Sequence, residues 1–425
     1  DERGVAGSGG GYSLIMAGLG TLVMTGNHQY SGGTNVNTGV LRAETAMPAS
    51  ATGSGTVTVS GGQLAGVGHA AGLVKLTSGS VVPGNAVTPY GSLHVGSYQQ
   101  TGGSLVIASN ASANSQLAVT GGASLGGTLQ VDFGTAPAAG QSFTVLSAGG
   151  VSGAFSNLVA TGLAAGTGAQ VSYGVSSVTV SIYTLTYAIA TSSDPSIGGI
   201  VTCTANPVPY GQSSECTASA AGGFVFDSFS GDCSGAACRL DNVQSAKTVN
   251  ARFLPVRSFS GTTVPSIPSQ AGHATASFIG GGETCHFDVE DTAFAAAPAA
   301  KPAGHLLPQG MFRFRLADCD ASPVTMTVEW PRPVSGYIKY GRADAADTED
   351  RYFVPEGLSI NGHSVSFTVQ DGQKGDDDWS ENGIIMDPTG PTEVRPPMAV
   401  PALGAWGVFW LSVVAAGLGA RRRRR

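Results

Sequence analysis

Four carboxylates fall within eight positions of this chain, at Asp371, Asp376, Asp377 and Asp378, with Asn382 and Asp387 close behind. Carboxylates crowded this closely repel unless water or a hard cation screens them, and calcium is the cation that prefers such oxygen donors. The spacing is not that of an EF-hand loop. The favoured reading is a solvated acidic turn, and the alternative is a structural Ca2+ held by those four aspartates; no other cofactor is indicated. Hydrolysis of a glycosidic bond would need two carboxylates held near one another. Between residues 5 and 183 the only charged side chains are Arg42, Glu44, Lys75 and Asp132, and the two acids lie far apart in sequence. Trp330 and Trp379 could serve as sugar platforms, yet nothing in the sequence fixes a carboxylate pair beside them. No catalytic residue is therefore assigned, and the chain is not expected to be an enzyme.

Three further patterns resemble sites in isolation. His28, His69 and His94 lack any paired spacing and read as turn or ladder positions. Gly66-Val-Gly-His-Ala-Ala71 mimics a dinucleotide-binding loop, but no helical period follows it and no acid lies about twenty residues on. Gly231-Asp-Cys-Ser-Gly235 has the look of a nucleophile loop around Ser234. No histidine lies between 94 and 273, however, so a disulfide-stapled hairpin tip is the better reading.

Six cysteines, Cys203, Cys216, Cys233, Cys238, Cys285 and Cys319, form no CxxC and no Cys/His cluster at zinc spacing. An even count of this kind indicates disulfides in an oxidising compartment. Sequence order suggests Cys203–Cys216, Cys233–Cys238 and Cys285–Cys319, the most local of fifteen connectivities.

Composition bounds what can position these residues. Glycine supplies 63 of 425 residues and only 12% are charged. Five of the 21 basic residues are Arg421–Arg425, so the rest of the chain sets 16 basic against 28 acidic residues, a balance near −12 that argues against nucleic-acid binding. Asp1 stands where a leader would begin, and we expect any secretion signal to lie upstream.

In the first region Val81, Leu93, Leu105, Leu117 and Leu129 stand twelve residues apart, most of them after Gly-Ser or Gly-Thr. A second apolar residue follows two positions later, at Val95, Ile107, Val119 and Val131. Period-two spacing puts each pair on one face of a short strand, with glycine permitting the turn before it. A stack of such strands, burying one continuous aliphatic column, predicts a parallel β-solenoid. Gly18-Leu-Gly-Thr-Leu-Val-Met-Thr-Gly-Asn27, Tyr30-Ser-Gly-Gly-Thr34 and Gly39-Val-Leu41 resemble the autotransporter passenger-associated repeat. That resemblance implies a rigid surface stalk and no chemistry.

Composition changes at Tyr183, where the alternation through Ile189 predicts a strand. Gly199-Ile-Val-Thr-Cys203, the run from Gly223 to Cys233 and Lys247-Thr-Val-Asn-Ala-Arg-Phe253 complete a small β unit. It resembles the divergent internalin-type bacterial repeat, with Phe229 where that family usually has Trp. Beyond residue 256, Met311–Leu316, Val324–Val328 and Ser364–Val369 alternate as antiparallel strands, predicting a β-sandwich. Pro308-Gln-Gly-Met-Phe312, Tyr337-Ile-Lys-Tyr-Gly341, Asp371–Asp378 and Asn382–Pro391 are similar to the choice-of-anchor U domain, which sits just before a C-terminal anchor.

From Met398 to Ala420 the chain carries no charge, a length that suits one transmembrane helix. Trp406 and Trp410 lie near one end and Arg421, Arg422, Arg423, Arg424 and Arg425 close the other, placing the C-terminus in the cytoplasm and the preceding chain outside. With Pro401, Leu403, Trp406 and Gly407 before it, this tail resembles the IPTL-CTERM sorting signal. The resemblance implies an exosortase-type transpeptidase as partner, which removes the tail and can attach the protein elsewhere.

The whole is therefore expected to be all-β before one C-terminal helix. Residues 1–182 form the solenoid, 183–255 the disulfide-bonded module, 256–392 the sandwich and 393–425 the sorting signal in the inner membrane of a Gram-negative cell. The function expected is that of an exported adhesin or matrix component whose surface ligand, which could be a polysaccharide, the sequence does not name. The alternatives are a carbohydrate-active enzyme with its catalytic domain upstream of Asp1, or a spacer for such a domain.

Overall fold

The computed structural model describes residues 2–3, 10–298 and 305–394. Over these residues the protein is all-β, with a single 3-10 turn at Pro268–Gln270. It divides into two compact units. The first holds residues up to 190 together with 203–215 and 239–248; the second holds 191–202, 216–238 and the described residues from 249 onward. Residues 183–255 thus contribute to both.

The first unit is dominated by one seventeen-stranded sheet whose ladders are mostly parallel. Leu22, Leu41, Leu64, Val81, Leu105, Leu129 and Leu158 stand opposite one another in successive pairings and make one aliphatic column. Val57, Val74, Tyr98, Ala123 and Val151 make a second. Leu93, Leu117 and Leu146 belong to a third. The twelve-residue spacing therefore steps between columns, and only residues two spacings apart are stacked. The single column expected from the sequence is in fact several, converging on one continuous cluster that includes Met24 and Ile182.

The glycines before the repeat leucines have the role expected of them at two positions. Gly103 and Gly127 adopt φ values of +64° and +59°, a conformation that costs glycine little. A Cβ on Gly127 would approach the Gly103 carbonyl oxygen at 2.7 Å. Backbone stacking leaves no room for a side chain there.

Parallel pairing extends to the strand Asn157–Thr161, which lies against Thr128–Phe133. After it the direction reverses. Ser177–Thr184 runs antiparallel to both Ser142–Ser147 and Thr167–Tyr173. The end of the region expected as parallel repeats is thus an antiparallel closure, which pairs strand edges that would otherwise be open. The expected strand from Tyr183 to Ile189 is likewise broken up. Tyr183 pairs with Gly168, whereas Tyr187 pairs with Val208, because the chain leaves one sheet and enters another within those seven residues.

In the second unit two antiparallel sheets face each other across an aromatic core. One has the order Ser258–Thr262, His273–Gly280, Val324–Glu329, Ser364–Val369, Glu356–Asn361. The other has the order His286–Phe287, Met311–Ala317, Ile385–Pro391, Tyr337–Gly341, Arg351–Phe353, with Ala293–Ala295 also paired to Met311–Ala317. Alternation in each strand sends Phe278, Met326, Val365 and Phe367 from one sheet, and Phe287, Phe312, Phe314 and Ile385 from the other, into a common cluster. Each fully buried Phe contributes roughly 1.5–3 kcal/mol. The strand Phe224–Gly231 and residues 249–255, paired antiparallel to it, belong to the same unit, packing Phe226 against Phe229 and Phe253. Phe229 is buried, so it fills the aromatic position without the Trp.

Candidate functional site

The acidic cluster is not a solvated turn. Asp371, Asp376 and Asp387 are all buried, and of the four clustered aspartates only Asp378 is exposed. Burial is offset in part by main-chain amides, which bond both Asp376 oxygens and one of Asp371's. Asp376 accepts from the Gly372 and Met386 amides at 3.0 and 3.2 Å. Asp371 accepts from the Gly383 amide at 2.7 Å. Asp377 accepts from the Arg342 amide at 3.3 Å, while its carbonyl receives the Arg342 guanidinium at 3.1 and 3.0 Å. Asp378 is held by Ser380 and Asn382.

The cation facing this group is a lysine. Lys339 lies on Tyr337–Gly341 and Asp387 on the neighbouring Ile385–Pro391, their side chains 1% and 4% exposed and in direct contact as an ion pair. The register sets Lys339 opposite Thr389, which brings Asp387 into place diagonally on the same inward face. The ammonium also donates to the Gly375 carbonyl at 3.3 Å and lies 4.9 Å from the Phe367 ring centre. Burial lowers the Lys339 pKa, against the opposing pull of Asp387. Burial likewise pushes Asp387 up to about 6 despite the lysine charge, and Asp376 up to about 7 despite its two amide donors. Asp377 is raised for the same reason. Among the described residues, no three His, Cys, Asp or Glu side chains are grouped so as to hold a metal ion.

Sequence reasoning found the aspartates and missed Lys339. The signal available was parity: Lys339 falls on the same strand face as the buried Tyr337, where a charge needs a partner.

The other singled-out residues are dispersed. Glu44 is engaged by Arg42 at 2.8 Å and by the Asn85 amide. Asp132 accepts from Gln130 and Thr161 instead. His69 and His94 are neighbours in one parallel pairing, with the His69 ring nitrogen 3.0 Å from the Ala49 carbonyl. His28 is buried elsewhere in the unit. Gly66 ends the strand Val57–Gly66 and His69 begins the next, so the dinucleotide-like loop is a bend between strands. Trp330 is buried against Phe294 and Tyr337, and Trp379 donates to the Arg342 carbonyl. Cys233–Cys238 and Cys285–Cys319 are bonded, flanking Ser234 and tying the loop before His286 to the end of Met311–Ala317. Cys203 and Cys216 are disulfide-bonded too, and no cysteine is free.

The chain is all-β over the described residues, with stacked parallel ladders and disulfide-stapled β modules. Three segments match family models. Residues 14–43 match the passenger-associated-transport-repeat, 189–257 the divergent InlB B-repeat domain, and 398–425 the IPTL-CTERM motif. No curated relative matches the chain. The repeats and the sorting motif are those of an exported surface protein, and the motif implies processing by an exosortase-type enzyme. Pro401, Leu403, Trp406, Gly407 and Arg421–Arg425 lie outside the described residues, as does the expected transmembrane helix. Among the described residues no helix is long and apolar enough to cross a membrane.

Proposed function

We propose that the protein is a non-enzymatic adhesin or matrix component, displayed on a β-solenoid stalk and sorted by its C-terminal tail. The observation carrying this reading is the pairing of a passenger repeat at one end with a sorting motif at the other. The continuous aliphatic cluster between Met24 and Ile182 supports the stalk, since each strand layer buries its face only against its neighbours. Both carboxylates of that region are occupied by separate partners, which supports a structural role over glycoside cleavage. The third region, with its resemblance to the choice-of-anchor U domain, is read as the part nearest the membrane before processing.

The test is a cell fractionation with and without residues 398–425. The full chain is expected on the cell surface, with a mature C-terminus lacking the five arginines by mass spectrometry. A surface-retained protein still ending in Arg425 would leave only a plain anchor. Loss of surface adhesion on deleting the gene, restored by the full chain, is the expected result for an adhesin. Unchanged adhesion would favour the spacer reading.

A further inference from the structure

Lys339 and Asp387 combine features that an ordinary structural ion pair does not need. Both side chains are almost wholly buried, they touch across adjacent strands, and the lysine is the group that holds the Asp387 carboxylate. Aromatic rings surround them: Phe367 lies beneath the ammonium, and Tyr337 and Phe314 pack on Phe367 at 5.7 and 6.3 Å. A third group is at hand. Asp376 is fixed by its bond to the amide of Met386, the residue before Asp387, and its charge is felt at Lys339. An amine and a carboxyl are thus immobilised in contact in a buried site, with a second carboxyl near enough for its charge to act on the amine, and proximity of this kind can replace a large part of a bimolecular barrier.

We propose that Lys339 and Asp387 condense to an intramolecular isopeptide bond, with Asp376 carrying the proton between them. The lysine Nζ, as the free amine, attacks Asp387 Cγ in its acid form. The Nζ–Cγ bond forms and the Cγ–OH bond breaks. Asp376 takes a proton from the nitrogen and delivers one to the departing hydroxyl, so a single water leaves and Asp376 is regenerated. No oxidant, nucleotide or metal enters the balance. Burial favours the required protonation states, since it disfavours both the ammonium and the carboxylate relative to their neutral forms. The amide removes two costly buried charges at once. It would tie Tyr337–Gly341 covalently to Ile385–Pro391, the last long strand before the tail.

The deciding measurement is intact-mass spectrometry of the purified full chain, reduced and denatured. The expected mass is below that of the sequence by one water molecule, and proteolysis is expected to release a branched peptide containing both Lys339 and Asp387. Full sequence mass with two separate linear peptides would overturn the proposal. Asp376→Ala keeps both reacting groups and is expected to leave them unlinked, with strand content by circular dichroism confirming that the variant folds. A folded Asp376→Ala protein that links as completely as the parent would overturn the role of Asp376. Lys339→Met is expected to show the full sequence mass; a water loss persisting there would place the linkage elsewhere and overturn the assignment.

Discussion

At the scale of single residues, most of this protein's chemistry lies in one buried polar group. Asp376 shows how burial reverses the usual behaviour of a carboxylate. In the folded state it holds its proton to about pH 7, while the ordinary value is 3.8. The folded state therefore binds more protons than the unfolded chain between those limits. Its contribution to stability is complete below about pH 4 and is lost as pH rises through about 7. The melting temperature of the full chain should accordingly fall by a few degrees between pH 5 and pH 8, and the fall should be smaller in Asp376→Ala. Equal slopes in both proteins would show that another group dominates. The aspartates were legible from the sequence as an unusual cluster. Their environment was not, because it is made by amides at Gly372, Gly383 and Met386 and by a lysine over thirty positions upstream.

At the scale of elements, each segment makes a separate demand. Leu105 stands between Val81 and Leu129 in its column and is wholly buried. Leu105→Ala should cost about 2–5 kcal/mol, because rigid backbone layers above and below cannot close the cavity; calorimetry of the variant reads this directly. Gly223 adopts φ +80°, and a Cβ there would come within 1.8 Å of the His286 ring, which itself packs on Phe224. Gly223→Ala should then destabilise the second unit by more than the ~1 kcal/mol of backbone strain expected for leaving glycine at a positive φ. An unchanged urea midpoint would mean that the ring swings clear. The two local disulfides differ in span, 5 residues for Cys233–Cys238 and 34 for Cys285–Cys319. Replacing the second pair by alanine should lower stability by about 2–4 kcal/mol and more than replacing the first, since the longer loop gains more freedom in the unfolded chain. The reverse order in thermal melts would point to native-state contacts instead.

At the scale of the whole molecule, the order of parts is what connects structure to location. Passenger-type repeats, the divergent InlB B-repeat domain and the C-terminal motif succeed one another along the chain. Removing residues 398–425 should shift the protein from the cell-associated fraction to the medium while leaving the described fold intact, which immunoblotting of both fractions would show. Retention without the tail would place the anchor in another segment.

What the sequence determined by itself was set by local chemistry. Two-residue alternation specified strands, glycine specified the turns at 103 and 127, the even cysteine count specified disulfides, and the tail carried the resemblance to the sorting motif that matches at residues 398–425. Tertiary structure decided which strands meet. Twelve-residue spacing is equally compatible with one column or several, and only the register shows Leu93 above Leu117 while Leu105 lies above Leu129. It also decided that the acidic turn faces inward to Lys339. A charge's partner depends on which distant strand packs beside it, and neither the type nor the spacing of nearby residues carries that information.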